Sequence, residues 1–98
     1  MKAAFIFLAP GVDPSVHRSV VDTPKVNLTS VAVNNYEEAV FVAGELVDQG
    51  VEAIELCGGF GHAGTARVAE EVKGRASVGV VRFDGHPGLG NRSGDELF

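Results

Sequence analysis

The sequence predicts one small α/β domain, a four-stranded parallel sheet with flanking helices. Three observations carry that expectation. Apolar runs of strand length, rich in β-branched and aromatic residues, recur at 2–9, 26–33, 53–57 and 77–83. Segments with helical spacing and helix caps stand between them, and strands alternating with helices give a parallel sheet with right-handed crossovers. The 98 residues suffice for one core, and 45% hydrophobic with 21% charged residues is the balance of an ordinary globular domain.

The first strand, Lys2 to Ala9, is almost continuously apolar, which fits a strand covered on both faces; Pro10-Gly11 ends it. Asp13-Pro14 reads as an N-cap with proline at the first helical position, and Val16 and Val20 stand four apart, so a short helix is expected before Thr23-Pro24. The second strand, 26–33, carries Asn27, Thr29 and Ser30 and is expected to be less buried. Asn34-Asn35 close it. Asn35 is then placed to cap the clearest helix, with Glu38 three residues on as in a capping box and Gly50 as its stop; its apolar face is Ala39, Val40, Ala43, Leu46 and Val47. Ala53 to Cys57 forms the third strand, followed by the glycine-rich 58–64 and a helix with the stripe Thr65, Val68, Ala69 and Val72 that Gly74 terminates. The fourth strand is 77–83. Residues 85–98 lack periodicity and read as a glycine-rich C-terminal tail, docked through Leu89, Leu97 and Phe98.

The first and third strands are the most hydrophobic and the second the most polar. That favours a flavodoxin-like order 2-1-3-4, with the polar strand at an edge, over the sequential 1-2-3-4 of half a βα barrel.

Composition excludes several function classes. No apolar run approaches the roughly 18 residues of a membrane span, and the N-terminal apolar stretch is too short for a typical signal peptide. A net charge of −5 disfavours nucleic acid and anionic membranes as partners. The single cysteine, Cys57, has no partner for an intrachain disulfide, which points to a reducing cytoplasm.

In a parallel sheet the segments after the strands gather at one end, where open α/β sheets bind ligands. They bring together Asp13 and His17, Asn34 and Asn35, Cys57 through His62, and Arg82, Asp84 and His86. Gly59-Phe60-Gly61-His62-Ala63-Gly64 matches G-x-G-x-x-G between a strand and a helix, with Asp84 twenty residues beyond the last glycine. Free N–H groups at such a helix start hold a phosphate or another anion, and a merely tight turn is the alternative. A whole dinucleotide is disfavoured, because the chain supplies about one mononucleotide half of a doubly wound fold.

Candidate catalytic residues are His62 and His86 as an acid/base pair, Asp84, and Cys57 as a nucleophile, although a small cysteine at a strand end is more simply core filler. Candidate ligand-binding residues are Gly58, Gly59, Gly61, Gly64, Arg82 and Asn34. No tight ligand spacing supports a metal, and no cofactor is indicated. Glu55 either pairs with Arg82 on the neighbouring strand or faces solvent.

The expected function is therefore binding of a small, anionic molecule, with or without catalysis. The competing classes are a non-catalytic homo-oligomeric module and a cysteine-dependent enzyme using Cys57. A homodimer is expected, because the terminal fourth strand lacks the charges that usually blunt an exposed edge; that strand or the tail would join the subunits.

Three stretches carry a resemblance: Lys2-Ala3-Ala4-Phe5-Ile6-Phe7-Leu8-Ala9-Pro10-Gly11, Ile54-Glu55-Leu56-Cys57-Gly58-Gly59-Phe60-Gly61-His62, and Val81-Arg82-Phe83-Asp84-Gly85-His86-Pro87-Gly88-Leu89-Gly90. Over essentially its whole length the chain resembles a family of short bacterial proteins known only as a domain of unknown function. The resemblance implies a compact bacterial cytoplasmic domain and brings no catalytic residues with it.

Overall fold

The computed structural model describes residues 1–83 and 85–98. Its elements are β1 (Lys2–Leu8), β2 (Arg18–Asp22), β3 (Asn27–Val33), α1 (Tyr36–Asp48), β4 (Ala53–Leu56), α2 (His62–Glu71) and β5 (Ser77–Val80), followed by two short 3-10 turns, Pro87–Leu89 and Gly94–Glu96. The sheet order is β2-β3-β1-β4-β5. The four expected strands are β1, β3, β4 and β5; they are mutually parallel and stand in the order 2-1-3-4, not in the half-barrel sequence.

The sheet nevertheless has five strands, not four. Residues expected to form a helix after Asp13-Pro14 instead make one turn, in which the Asp13 carboxylate accepts from the Ser15 N–H and hydroxyl, and then enter β2. Val20 and Val21 are β-branched and favour a strand, and Thr23 folds a hairpin by exchanging bonds with Val26 through both its backbone N–H and its hydroxyl. β2 therefore pairs antiparallel with β3, from Arg18 opposite Val31 to Asp22 opposite Asn27. Reading Val16 and Val20 at helical spacing missed this alternation.

That hairpin leaves the domain two layers thick. α1 carries the chain from β3 across β1 to β4, and α2 carries it from β4 to β5. Both helices pack into a single core with Ala4 and Ile6 of β1, Val31 and Val33 of β3, and Ile54 and Leu56 of β4. No helix links β1 to β3, so among the described residues no helix covers the opposite face of the sheet, where Ala32 is nonetheless buried. The expectation that β1 is covered on both faces therefore fails within one chain: Ala4 and Ile6 are fully buried, while Ala3, Phe5 and Phe7, which point the other way, are half-buried.

α1 is capped as its sequence predicts, with Asn35 Oδ1 accepting the Glu38 N–H at 2.9 Å. Glu38 closes the box one residue further back than usual, accepting from the Asn34 N–H at 2.8 Å and from Asn34 Nδ2 at 2.7 Å. Gly50, at φ +101°, lets the chain leave the helix in a left-handed conformation. α2 is different. Its N-cap is Gly61, which has no side chain to offer the first N–H groups.

Candidate functional site

The acceptor missing from the α2 N-terminus comes from the tail. Asp95 Oδ2 accepts the Ala63 N–H at 3.0 Å and Asp95 Oδ1 the Gly64 N–H at 3.1 Å. The Tyr36 hydroxyl donates to Asp95 Oδ1 at 2.8 Å and accepts the Gly61 N–H at 3.0 Å. The anion expected on the glycine-rich loop is thus a carboxylate of the chain itself.

The glycines of the G-x-G-x-x-G run each serve a contact inside the chain. A Cβ on Gly61 would overlap the Asp95 carboxylate, and one on Gly64 would overlap the Tyr36 ring; Gly59 packs against Leu8 and Cys57 and receives Gly94 on its carbonyl. These contacts account for the run without a nucleotide.

Around this lock the side chains are tightly arranged. The Tyr36 ring stacks on Phe60 with centroids 5.5 Å apart and meets Phe98, the last residue, at 6.2 Å. Burial, reinforced by the neighbouring carboxylate and opposed by the Gly61 N–H, pushes the Tyr36 phenol up to about 12, so it remains a donor at neutral pH. Burial disfavours the ionised Asp95 carboxylate, but the Ala63 N–H, the Tyr36 hydroxyl and the Gly64 N–H outweigh it, helped by nearby His62, and hold its pKa below the ordinary value.

A lowered carboxylate pKa stabilises the fold at neutral pH, and that stabilisation is lost as pH falls through the folded-state value. Asp95→Asn should therefore melt below the parent at pH 7, and the gap should narrow below about pH 4, where carboxylates begin to protonate. Thermal melts of both proteins across that range check this; a gap unchanged by acid would mean that the charge of Asp95 contributes nothing.

Beside the lock, at the carboxyl ends of β4 and β5, lies a cavity of about 270 Å³. One wall is Gly58, Phe60, Gly61, His62 and Thr65, a second is Val80 to Phe83, and the tail supplies Gly85, His86 and Asn91 to Gly94. Arg82, Arg92, His62 and His86 all line it. His86 Nδ1 accepts the Gly88 N–H at 3.0 Å, so in the neutral ring Nε2 carries the proton. Its ring lies 4.7 Å from that of Phe83, which packs so closely on Gly58 that a Cβ there would overlap it.

The expected site residues divide accordingly. His62, His86, Gly58, Gly61 and Arg82 border the cavity, whereas Gly59, Gly64, Cys57 and Asn34 do not. Cys57 Sγ lies 3.4 Å from both the Leu8 and the Gly59 nitrogens and accepts from each, packed against the core. Asn34 pins the loop after β1, accepting from the Gly11 and Val12 N–H groups and donating to the Val12 carbonyl. Asp84 lies outside the described residues. Glu55 is exposed, on the face of the sheet away from the helices.

Among the described residues, no three His, Cys, Asp or Glu side chains gather where they could hold a metal ion, and no helix is long and apolar enough to cross a membrane. Sequence reasoning did not single out Arg92, Asp95 or Tyr36. One signal was available: a helix that starts on Gly61 with no Ser, Thr, Asp or Asn at the cap needs an acceptor from elsewhere.

No curated protein and no solved structure matches the chain. A family model matches residues 1–96, nearly the full length. The chain belongs to that family, a family of unknown function (DUF6506).

Proposed function

We propose that the domain binds a small organic anion, a carboxylate or phosphate ester, in the cavity between the β4–α2 loop, the end of β5 and the tail. The observation that carries this reading is charge. The chain bears −5 overall, yet two of its eight Lys and Arg residues and two of its three histidines border this one cavity. Such a concentration against the net charge favours an anion, and guanidinium groups grip carboxylate and phosphate through paired N–H donors. The volume is at the small end of ligand pockets, which selects a compact metabolite.

The anion-binding role thus moves from the helix N–H groups, which Asp95 occupies, to Arg82, Arg92, His62 and His86. Two imidazoles, His62 and His86, line the same cavity, and imidazoles are the side chains most used for proton transfer, so acid/base catalysis on the bound anion is the activity the site would support.

A panel of small carboxylates and phosphate esters should contain members that raise the melting temperature saturably, since binding to the folded state alone stabilises it. Arg92→Ala should weaken that binding about tenfold or more, the loss expected for one charge-assisted contact. If no compound gives a saturable shift, or if Arg92→Ala leaves the affinity unchanged, the cavity is not an anion site.

The domain is also read as a homodimer acting in a reducing cytoplasm. Val21, 58% exposed, and Phe5, Phe7 and Leu28, half-buried, on the sheet face that carries no helix support association. The tail is withdrawn from the interface, because it is spent on its own chain through Asp95 and Phe98.

A further inference from the structure

We propose that a second copy of the chain covers the open face of the sheet, about a twofold axis that runs along β1. This rests on the homodimer reading and assigns its interface; it is independent of the cavity. The strand register defines the face row by row. The middle row is Ser19, Ser30, Phe5, Glu55 and Gly79, from β2 to β5. The row towards the strand starts is Val21, Leu28, Ala3, Ala53 and Ser77, and Phe7 with Ala32 lies on the other side.

Parallel strands are ordinarily covered on both faces, and a face left to water ordinarily carries polar side chains. Here the central strand presents Phe5 and Phe7, with ring centroids 6.0 Å apart, and Val21 beside Leu28 is 58% exposed. The alternative surface, the β5 edge, is only four residues long, and short edge strands resist pairing.

The two halves of the face differ in bulk. On the β2 and β3 side stand Val21 and Leu28; on the β4 and β5 side stand Ala53, Ser77 and Gly79, and a Cβ on Gly79 would meet no atom within 4 Å. A twofold axis along β1 exchanges the halves. It sets Leu28 over Ala53 of the partner subunit and Val21 over Ser77 of the partner subunit, large side chains over small ones, with Phe5 stacking on its own copy at the axis.

Charge selects the same axis. Glu55 is the one ionised side chain among the described strand residues of this face. A twofold axis across the strands through the middle row would set Glu55 against its own copy, two like charges in contact. The axis along β1 sets Glu55 over Ser30 of the partner subunit, whose hydroxyl donates to a carboxylate. Sheets stacked this way lie about 10 Å apart with strands within about 30° of parallel, so the match is closest in the middle row.

Five strands at about 4.8 Å spacing and up to seven residues long give a flat area on the order of 400 Å², before side-chain relief. Counted on both partners that is roughly 800 Å², below the roughly 1,200 Å² where standard specific interfaces begin, so a weak, transient dimer is expected, not an obligate one.

Light scattering from micromolar to millimolar protein tests the assignment. The parent should pass from monomer to dimer. Ser30→Glu, which brings a second carboxylate against Glu55, should raise the dissociation constant at least about tenfold, and Ser30→Glu with Glu55→Ser should restore it, because the twofold axis only exchanges their places. Gly79→Arg, which the monomer has room for, should also weaken the dimer while circular dichroism stays unchanged; it serves if the Ser30 variants do not fold. A parent that remains monomeric throughout overturns the homodimer reading and this interface together. A dimer that ignores Ser30→Glu and Gly79→Arg overturns the interface alone and moves it to the β5 edge.

Discussion

Gly94→Ala should detach the C-terminal segment and lower the stability by about 3 kcal/mol or more, at the upper end for overpacking a close contact. The Cα of Gly94 sits on the carbonyl of Gly59, and a Cβ would overlap that oxygen and the Gly59 carbonyl carbon, besides pressing on the Tyr36 hydroxyl. Two of those atoms are backbone in the strand-to-helix loop, so no rotamer change relieves the contact. Relief requires the tail to move, and Asp95, the next residue, then leaves the α2 N–H groups. For a domain of this size the loss corresponds to a fall in melting temperature on the order of 15 °C. Limited proteolysis should cut the variant within 85–98 while the parent resists. A variant that melts within about 3 °C of the parent would mean that the tail contact contributes little to the fold.

Tyr36→Ala should cost a further large amount, about 3–5 kcal/mol, as for other buried aromatic truncations. Tyr36 is 4% exposed at the start of α1 and joins that helix to two other segments: the β4–α2 loop, through the Phe60 ring and the Gly61 N–H, and the tail, through Asp95 and Phe98. Tyr36→Phe separates packing from polar bonding. It keeps the ring and removes one hydroxyl that serves both a donor and an acceptor, for which about 1–2 kcal/mol is expected. The effects of Tyr36→Phe and Asp95→Asn should be clearly less than additive, since both act on one shared hydrogen bond. Additive losses in urea melts would show that the two residues act separately. Because the tail also walls the cavity through Asn91 to Gly94, Tyr36→Ala should weaken any anion binding along with the fold.

Much of the fold was legible because its determinants are local. Strand-length apolar runs marked β1, β3, β4 and β5, and Asn35, Glu38 and Gly50 marked the ends of α1 from sequence alone; the polar character of β3 pointed to a sheet edge, a place that β2 takes instead. The hairpin strand β2 was missed because Asp13-Pro14 does start a turn, and a turn followed by valines four apart reads the same whether the chain continues as helix or strand. Partners decided it: Val20 and Val21 are held by register against Thr29 and Leu28. That single substitution of strand for helix removed the cover from one face of the sheet, which no residue of β1 can report by itself.

The site divides the same way. The sequence by itself determined that His62, Arg82 and His86 would meet at one end of the sheet, since parallel strands leave their following segments no other place to gather. Only the tertiary structure decided that the loop glycines serve a carboxylate of the chain's own tail. Asp95 and Tyr36 stand 59 residues apart, and neither local periodicity nor capping preference extends over that separation. Their meeting depends on how α1, α2 and the tail pack on the same side of the sheet, a property of the folded core and not of any segment in it.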